Sequence, residues 1–147
     1  MFSVNDLSVA DYRALAELRY QIRKFLFFSE GQARTYGLEP QQHQLLLAVR
    51  GLPKGRRATI SDLADRLRLK HHSTVELINR LENLGAVVRV QSEQDRRQVS
   101  VQLTRTGTVL LRKLSLAHRH ELETAGPELS RALRAVMRRI RAEARGA

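Results

Sequence analysis

A chain of 147 residues with no cysteine is long enough to bury a real core. It cannot form disulfides, a cysteine zinc cluster or a thiol redox sensor. Its formal net charge of +11 favours a polyanionic partner, either nucleic acid or an anionic membrane surface. The charge is uneven. Residues 1–49 carry five basic and five acidic side chains, residues 50–105 twelve against six, and residues 106–147 nine against four. No apolar run approaches the roughly 20 residues that span a bilayer, and the N-terminus lacks a basic-then-apolar leader. A cytoplasmic protein is expected.

In chain order, Ser8 with Asp11 three residues later reads as a helix start. Leu15, Leu18, Ile22 and Phe25 then recur at steps of three and four, predicting a helix over about 8–34 that ends near Tyr36-Gly37. Its Phe25-Leu26-Phe27-Phe28 cluster is apolar nearly all round, which asks for burial on more than one side, partly against a second subunit. Pro40 suits a first helical position, and Gln41 to Val49 form a second helix. Gly51, Pro53 and Gly55 break the chain, and Lys54, Arg56 and Arg57 make a basic loop.

Thr59 followed by Asp62 signals another helix start, with Ile60, Leu63, Ala64 and Leu67 at helical spacing. A further helical pattern places Val75, Ile78, Leu81 and Leu84 on one side and ends at Gly85. Val88-Arg89-Val90 and Val99 to Leu103 alternate with period two around a polar turn, Ser92–Gln98. Two helices with a short link and then a hairpin make a winged helix-turn-helix, which lays one helix in the DNA major groove and a hairpin tip on the backbone or in the minor groove. Thr104 caps a helix to about Thr124, with Leu110, Leu111, Leu114 and Ala117 inward. Gly126-Pro127 is expected to break it. A last helix then shows Leu129, Leu133, Val136 and Ile140 as an apolar seam of the kind two helices share, with Arg131, Arg134, Arg138 and Arg141 on its opposite face.

The run S-T-V-E-L-I-N-R-L-E-N-L-G-A-V-V-R, the wing Asp95-Arg96-Arg97 and the following L-T-R-T-G (103–107) resemble the MarR-type bacterial transcription regulators. The resemblance implies a mainly α fold with a small antiparallel hairpin wing. It further implies a homodimer built by the terminal helices (1–36 and 106–147), a winged-helix lobe over 38–105, and double-stranded DNA as partner. It also implies a small aromatic or anionic effector, and for this role Arg23 and Phe27 on the first helix and His43 on the second are the candidates. A repressor acting on an inverted-repeat operator is the expected function. The alternative is a non-specific architectural or RNA-binding protein, although aromatic residues make up only 5% of the chain and give few bases a stacking platform.

Base edges would be met by the N-terminal turn of the reading helix, through His71, His72, Ser73, Thr74 and Glu76, with Lys70 and Arg80 on phosphates. Ser73 with Glu76 also fits a plain capping box. In the wing, the resemblance puts Arg97 in the minor groove, braced by Asp95, with Arg96 toward phosphate or solvent. His118 and Glu121 have helical metal-ligand spacing with His43 as a third candidate, but His118 and His120 diverge on a helix, so neither metal nor cofactor is expected. No catalytic motif such as G-x-S-x-G or H-E-x-x-H occurs, and an enzyme is not expected.

Overall fold

A computed structural model describes residues 7–146. Among these residues the elements are α1 (Val9–Thr35), α2 (Pro40–Arg50), α3 (Ile60–Leu67), α4 (His71–Asn83), β1 (Val87–Gln91), β2 (Val99–Leu103) and α5 (Arg105–Gly146). The chain divides into two compact units, one made of the residues up to Gly31 together with those from Ala117 onward, the other of Gln32–Leu116.

The Gln32–Leu116 unit has a core of its own. Leu45, Leu46, Leu63, Ile78, Leu81 and Leu114 are fully buried, joined by Leu38, Leu77, Val87, Val101 and Leu111. Each such side chain contributes about 1.5–3 kcal/mol on leaving water. Local chemistry sets the helix ends. The Thr59 hydroxyl accepts from the Asp62 amide at 3.1 Å and starts α3, as the spacing predicts. At α2, the Glu39 amide donates to the Gln42 side chain at 2.8 Å, with Pro40 at the first turn. Gly37 and Gly85 take positive φ where α1 and α4 end. The turn from α3 to α4 is made by Arg68, a non-glycine residue at φ 56°, ψ 41° whose amide reaches back to the Ala64 and Asp65 carbonyls.

β1 and β2 pair antiparallel, from Val87 opposite Leu103 to Gln91 opposite Val99. A third edge is supplied by Ala58-Thr59: the Val101 amide donates to the Ala58 carbonyl at 2.8 Å, and Thr59 bridges to Ser100. The L-T-x-x-G run gains a physical reason here. The Thr104 hydroxyl accepts from the Gly107 amide at 3.1 Å and donates to the Gly85 carbonyl, while the Thr104 amide donates to the Ala86 carbonyl at 3.0 Å. Gly107 is pressed onto that junction, since a Cβ there would stand 2.0 Å from the Ala86 carbonyl oxygen.

In the other unit, Ser8 and Asp11 form the expected start of α1: the Ser8 amide donates to Asp11 Oδ2 at 2.7 Å, and the Asp11 amide to Ser8 Oγ at 3.3 Å. Arg139 closes on this cap. Its Nε donates to Asp11 Oδ1 and its Nη2 to Ser8 Oγ at 2.9 Å. The Arg139 hydrogen bond, followed by those from Ser8, holds the Asp11 carboxyl down at about 2. A carboxylate with a lowered folded-state pKa adds stability above its unfolded value and loses it as pH falls through the folded value. Asp11→Asn should therefore lower the melting temperature at pH 7, and the difference from the parent should shrink between pH 4 and pH 2. Thermal melts across that range check it, and a pH-independent difference would contradict it.

Two sequence expectations are corrected. First, Gly126-Pro127 does not break the chain, and α5 runs unbroken through Pro127. A proline removes one amide and crowds the carbonyl four residues back, but Leu, Ala, Glu and Arg on both sides are strong helix formers that carry the helix past this one lost bond. Second, the buried face of α4 is Thr74, Leu77, Ile78 and Leu81, whereas Leu84 is half exposed. The predicted stripe was turned toward Val75 and Leu84, away from the true core side. No helix among the described residues is long and apolar enough to cross a membrane.

Candidate nucleic-acid interface

α4 begins at His71, with Lys70 as its N-cap in extended conformation. Its first turn therefore presents His71 and His72 to solvent and Ser73 partly. Glu76 and Arg80 are exposed further along the same helix. Because the cap lies at Lys70, Ser73 and Glu76 do not form the capping box that their spacing allowed. Thr74 must also be removed from the base-reading candidates. It is 0% exposed, and its hydroxyl donates to the Lys70 carbonyl at 3.0 Å. A short side chain that satisfies its hydroxyl within its own helix can be buried at little cost, so its polarity does not reveal which way it faces.

The wing tip is a tight, fully hydrogen-bonded turn. The Ser92 amide donates to the Gln98 carbonyl and the Gln98 amide to the Asp95 carbonyl, both at 3.0 Å. Ser92 Oγ accepts from the Gln94 and Asp95 amides at 3.3 and 3.4 Å. Arg96 and Arg97 occupy the two central positions of the Asp95–Gln98 turn, and both are exposed. Asp95 meets Arg97 through the main chain: its Oδ1 accepts from the Arg97 amide at 3.0 Å. This is the usual role of an aspartate opening a turn. It leaves the Arg97 guanidinium available, and it explains a carboxylate beside two arginines.

One contact was missed in the sequence. Arg89 on β1 reaches α4, pairing with Glu82 and donating from Nη2 to Asn79 Oδ1 at 2.8 Å. It ties the base of the wing to the far end of α4. The available signal was a charged residue inside a short strand next to a helix bearing an acid, which the alternation pattern alone reads as solvent-facing. On the other flank, Arg56 of the basic loop pairs with Asp62 at 3.6 Å.

The effector candidates fare differently. Phe27 is 82% exposed and Arg23 is exposed, both on α1, whereas His43 is only 3% exposed within α2. His43 therefore presents almost no surface to a ligand. Its position on the inner face of α2, between Gln42 and Leu45, explains why. His118 is likewise occupied: its Nε2 lies 2.8 Å from Ser29 Oγ, and the ring meets Phe25 and Phe28 edge to face. Among the described residues no group of three or more His, Asp or Glu side chains is arranged to hold a metal.

A MarR family model matches residues 36–98, which takes in α2, α3, α4 and the wing to its tip. The HTH-type transcriptional regulator YfiV of Bacillus subtilis is 37% identical over 78 residues, 50% of this chain and 49% of that protein. The chain thus spans about half the length of this curated relative. Among solved structures, AbsC, a MarR family transcriptional regulator from Streptomyces coelicolor, is similar over 100% of both chains, with a TM-score of 0.69 and 24% identity. The DNA complex of Staphylococcus aureus MepR is similar over 87% of this chain and 94% of that one, with a TM-score of 0.61 and 17% identity. Matched segment and fold agree: residues 36–98 are similar to the MarR family, and the chain has the winged helix-turn-helix fold of those solved structures.

Proposed function

We propose that this protein is a homodimeric transcriptional regulator that binds double-stranded DNA sequence-specifically at an inverted repeat and represses until an effector is bound. The observation that carries the reading is the pairing, on one unit, of an exposed N-terminal turn of α4 with an exposed, backbone-braced arginine turn at the wing tip. Residues 50–105 around them carry twelve basic against six acidic side chains. His71, His72, Ser73 and Glu76 would meet base edges, and Lys70, Arg80 and Arg96 phosphates. Arg97 would enter the minor groove, where a narrow A·T tract has enhanced negative potential. MepR, of the same fold, has been crystallised with DNA, which supports the same use of this lobe.

The dimer rests on a second observation. In the unit built from both ends of the chain, Val9, Tyr12, Leu15, Tyr20, Leu133 and Ile140 are exposed, whereas Ala132 is its one buried apolar residue among those described. An apolar face of that extent marks an interface. Twofold pairing of two lobes calls for half-sites about one helical turn apart. For the effector, Arg23 and Phe27 of α1 supply an anion partner beside an exposed aromatic, whereas buried His43 makes no direct contact.

The wing supplies the test. Arg97→Ala should leave the melting temperature unchanged, because the turn is held by Asp95 and Ser92 rather than by the guanidinium. It should weaken binding to a duplex selected from a random pool by about 1–3 kcal/mol and lower the salt slope. Arg96→Ala should cost less. Fluorescence anisotropy at two salt concentrations measures both, with random duplex and single-stranded RNA as competitors. Equal affinity for parent and Arg97→Ala would remove the wing from the mechanism. Equal affinity for selected and random duplex would favour an architectural role.

A further inference from the structure

α5 carries a charged surface that lies outside the Gln32–Leu116 unit. At about 100° per residue, Leu129, Leu133, Val136 and Ile140 lie within an arc of about 60°. Arg131, Arg134, Arg138, Arg141 and Arg145 lie within an arc of about 80°, centred about 150° away from the first. A third sector holds the buried Ala132 and Arg139, which is bound to Asp11 of α1. The helix therefore has one side for α1, one apolar side, and a third side made of arginine. All five of these arginines are exposed. Arg131 pairs with Glu128 at 2.8 Å. Among the described residues, no carboxylate pairs with Arg134, Arg138, Arg141 or Arg145.

We infer that this stripe is a second polyanion-binding surface, whose occupant is the phosphate backbone of a duplex other than the one held by the winged lobe. The stripe rises about 21 Å with one charge roughly every 5 Å, while each strand of a duplex presents a phosphate about every 3.4 Å. Every cation in it is arginine, whose planar guanidinium is weakly hydrated and bonds phosphate in two places at once. No aromatic residue is interleaved with them, so a single strand would find no stacking platform. A lipid surface is disfavoured by the arrangement of faces. An interfacial helix lowers its apolar side into the bilayer, but here that side points away from the arginines, and the helix is fastened to α1 by Arg139. When a second copy covers the apolar side, as in the dimer above, the stripe still faces outward.

The inference rests on the reading that the lobe holds one duplex, and the experiment separates the two. Full-length protein is bound to a bead-anchored duplex, and capture of a second, fluorescent duplex is measured across a salt series, beside anisotropy for the first. The variant Arg134→Gln/Arg138→Gln/Arg141→Gln should keep single-duplex affinity within about twofold and lose at least tenfold in second-duplex capture. The corresponding triple lysine variant should recover most of the capture. Arg97→Ala should show the reverse pattern, with first-duplex binding weakened. Undiminished capture by the glutamine variant overturns the proposal, as does failure of the parent to hold a second duplex. If Arg97→Ala binds one duplex as the parent does, the lobe reading fails, and the stripe is still judged by the glutamine variant. Should that variant not fold, judged by circular dichroism, the single Arg138→Glu change takes its place with the same expected loss. Preferential capture of single-stranded RNA or of phosphatidylglycerol vesicles over duplex would overturn the choice of occupant.

Discussion

Gly107→Ala is expected to destabilise the protein by about 3 kcal/mol, the upper end of what overpacking costs. The new methyl would stand 2.0 Å from the Ala86 carbonyl oxygen and 2.9 Å from its carbon. Those are backbone atoms held at both ends: the Ala86 carbonyl accepts the Thr104 amide, and the neighbouring Gly85 carbonyl accepts the Thr104 hydroxyl. Relief would require separating the start of α5 from the end of α4, which loosens the base of the wing as well. For a chain of this size the loss corresponds to a fall of roughly 6–12 °C in melting temperature. Gly126→Ala is the control. Its Cβ would meet only the Leu122 Cβ at 3.9 Å, so a helical glycine-to-alanine change should be neutral or raise stability by about 0.5–1 kcal/mol. A Gly107→Ala protein that melted with the parent would refute the close approach.

The second large effect is expected from Leu133→Asp combined with Ile140→Asp. The two residues are 49% and 53% exposed in the protomer, so the Gln32–Leu116 unit should keep its fold and its melting behaviour. Under the proposed dimer, each copy would bury two unpaired carboxylates, at several kcal/mol apiece. Sedimentation at micromolar concentration should then show monomers. Operator affinity should fall by about 10²–10⁴, because two half-sites would no longer be bound by linked lobes. A variant that still sedimented as a dimer would place the interface elsewhere.

Much of this was legible in the sequence, and the reasons are local. Thr59, Gly85, Pro40 and the Ser8–Asp11 pair act within three or four residues of themselves, so their spacing alone carries the helix ends. The wing turn was legible for the same reason. What failed depends on partners distant in sequence or on competition between forces. Whether Thr74 points inward is decided by the core across from α4 and by a hydroxyl that can be satisfied at home. Pro127 sits in a helix because its flanking residues outweigh one lost hydrogen bond. Arg89 finds its partners seven and ten residues back on another element. The arginine face of α5 and the apolar seam opposite it were both visible, but the hold of Arg139 on Asp11, 128 residues away, was not.

The left-handed Arg68 has a consequence for how this sequence can drift. A non-glycine residue in that conformation costs roughly 1–2 kcal/mol, so glycine or asparagine at position 68 would be the easy route to a sturdier turn between α3 and α4. Such a change would remove an exposed cation two residues before Lys70, at the threshold of α4, the helix proposed to meet the DNA. Stability and charge pull in opposite directions at this one site. A thermostabilising screen scored on melting temperature alone would select against arginine here, and one scored on retention of DNA would keep it.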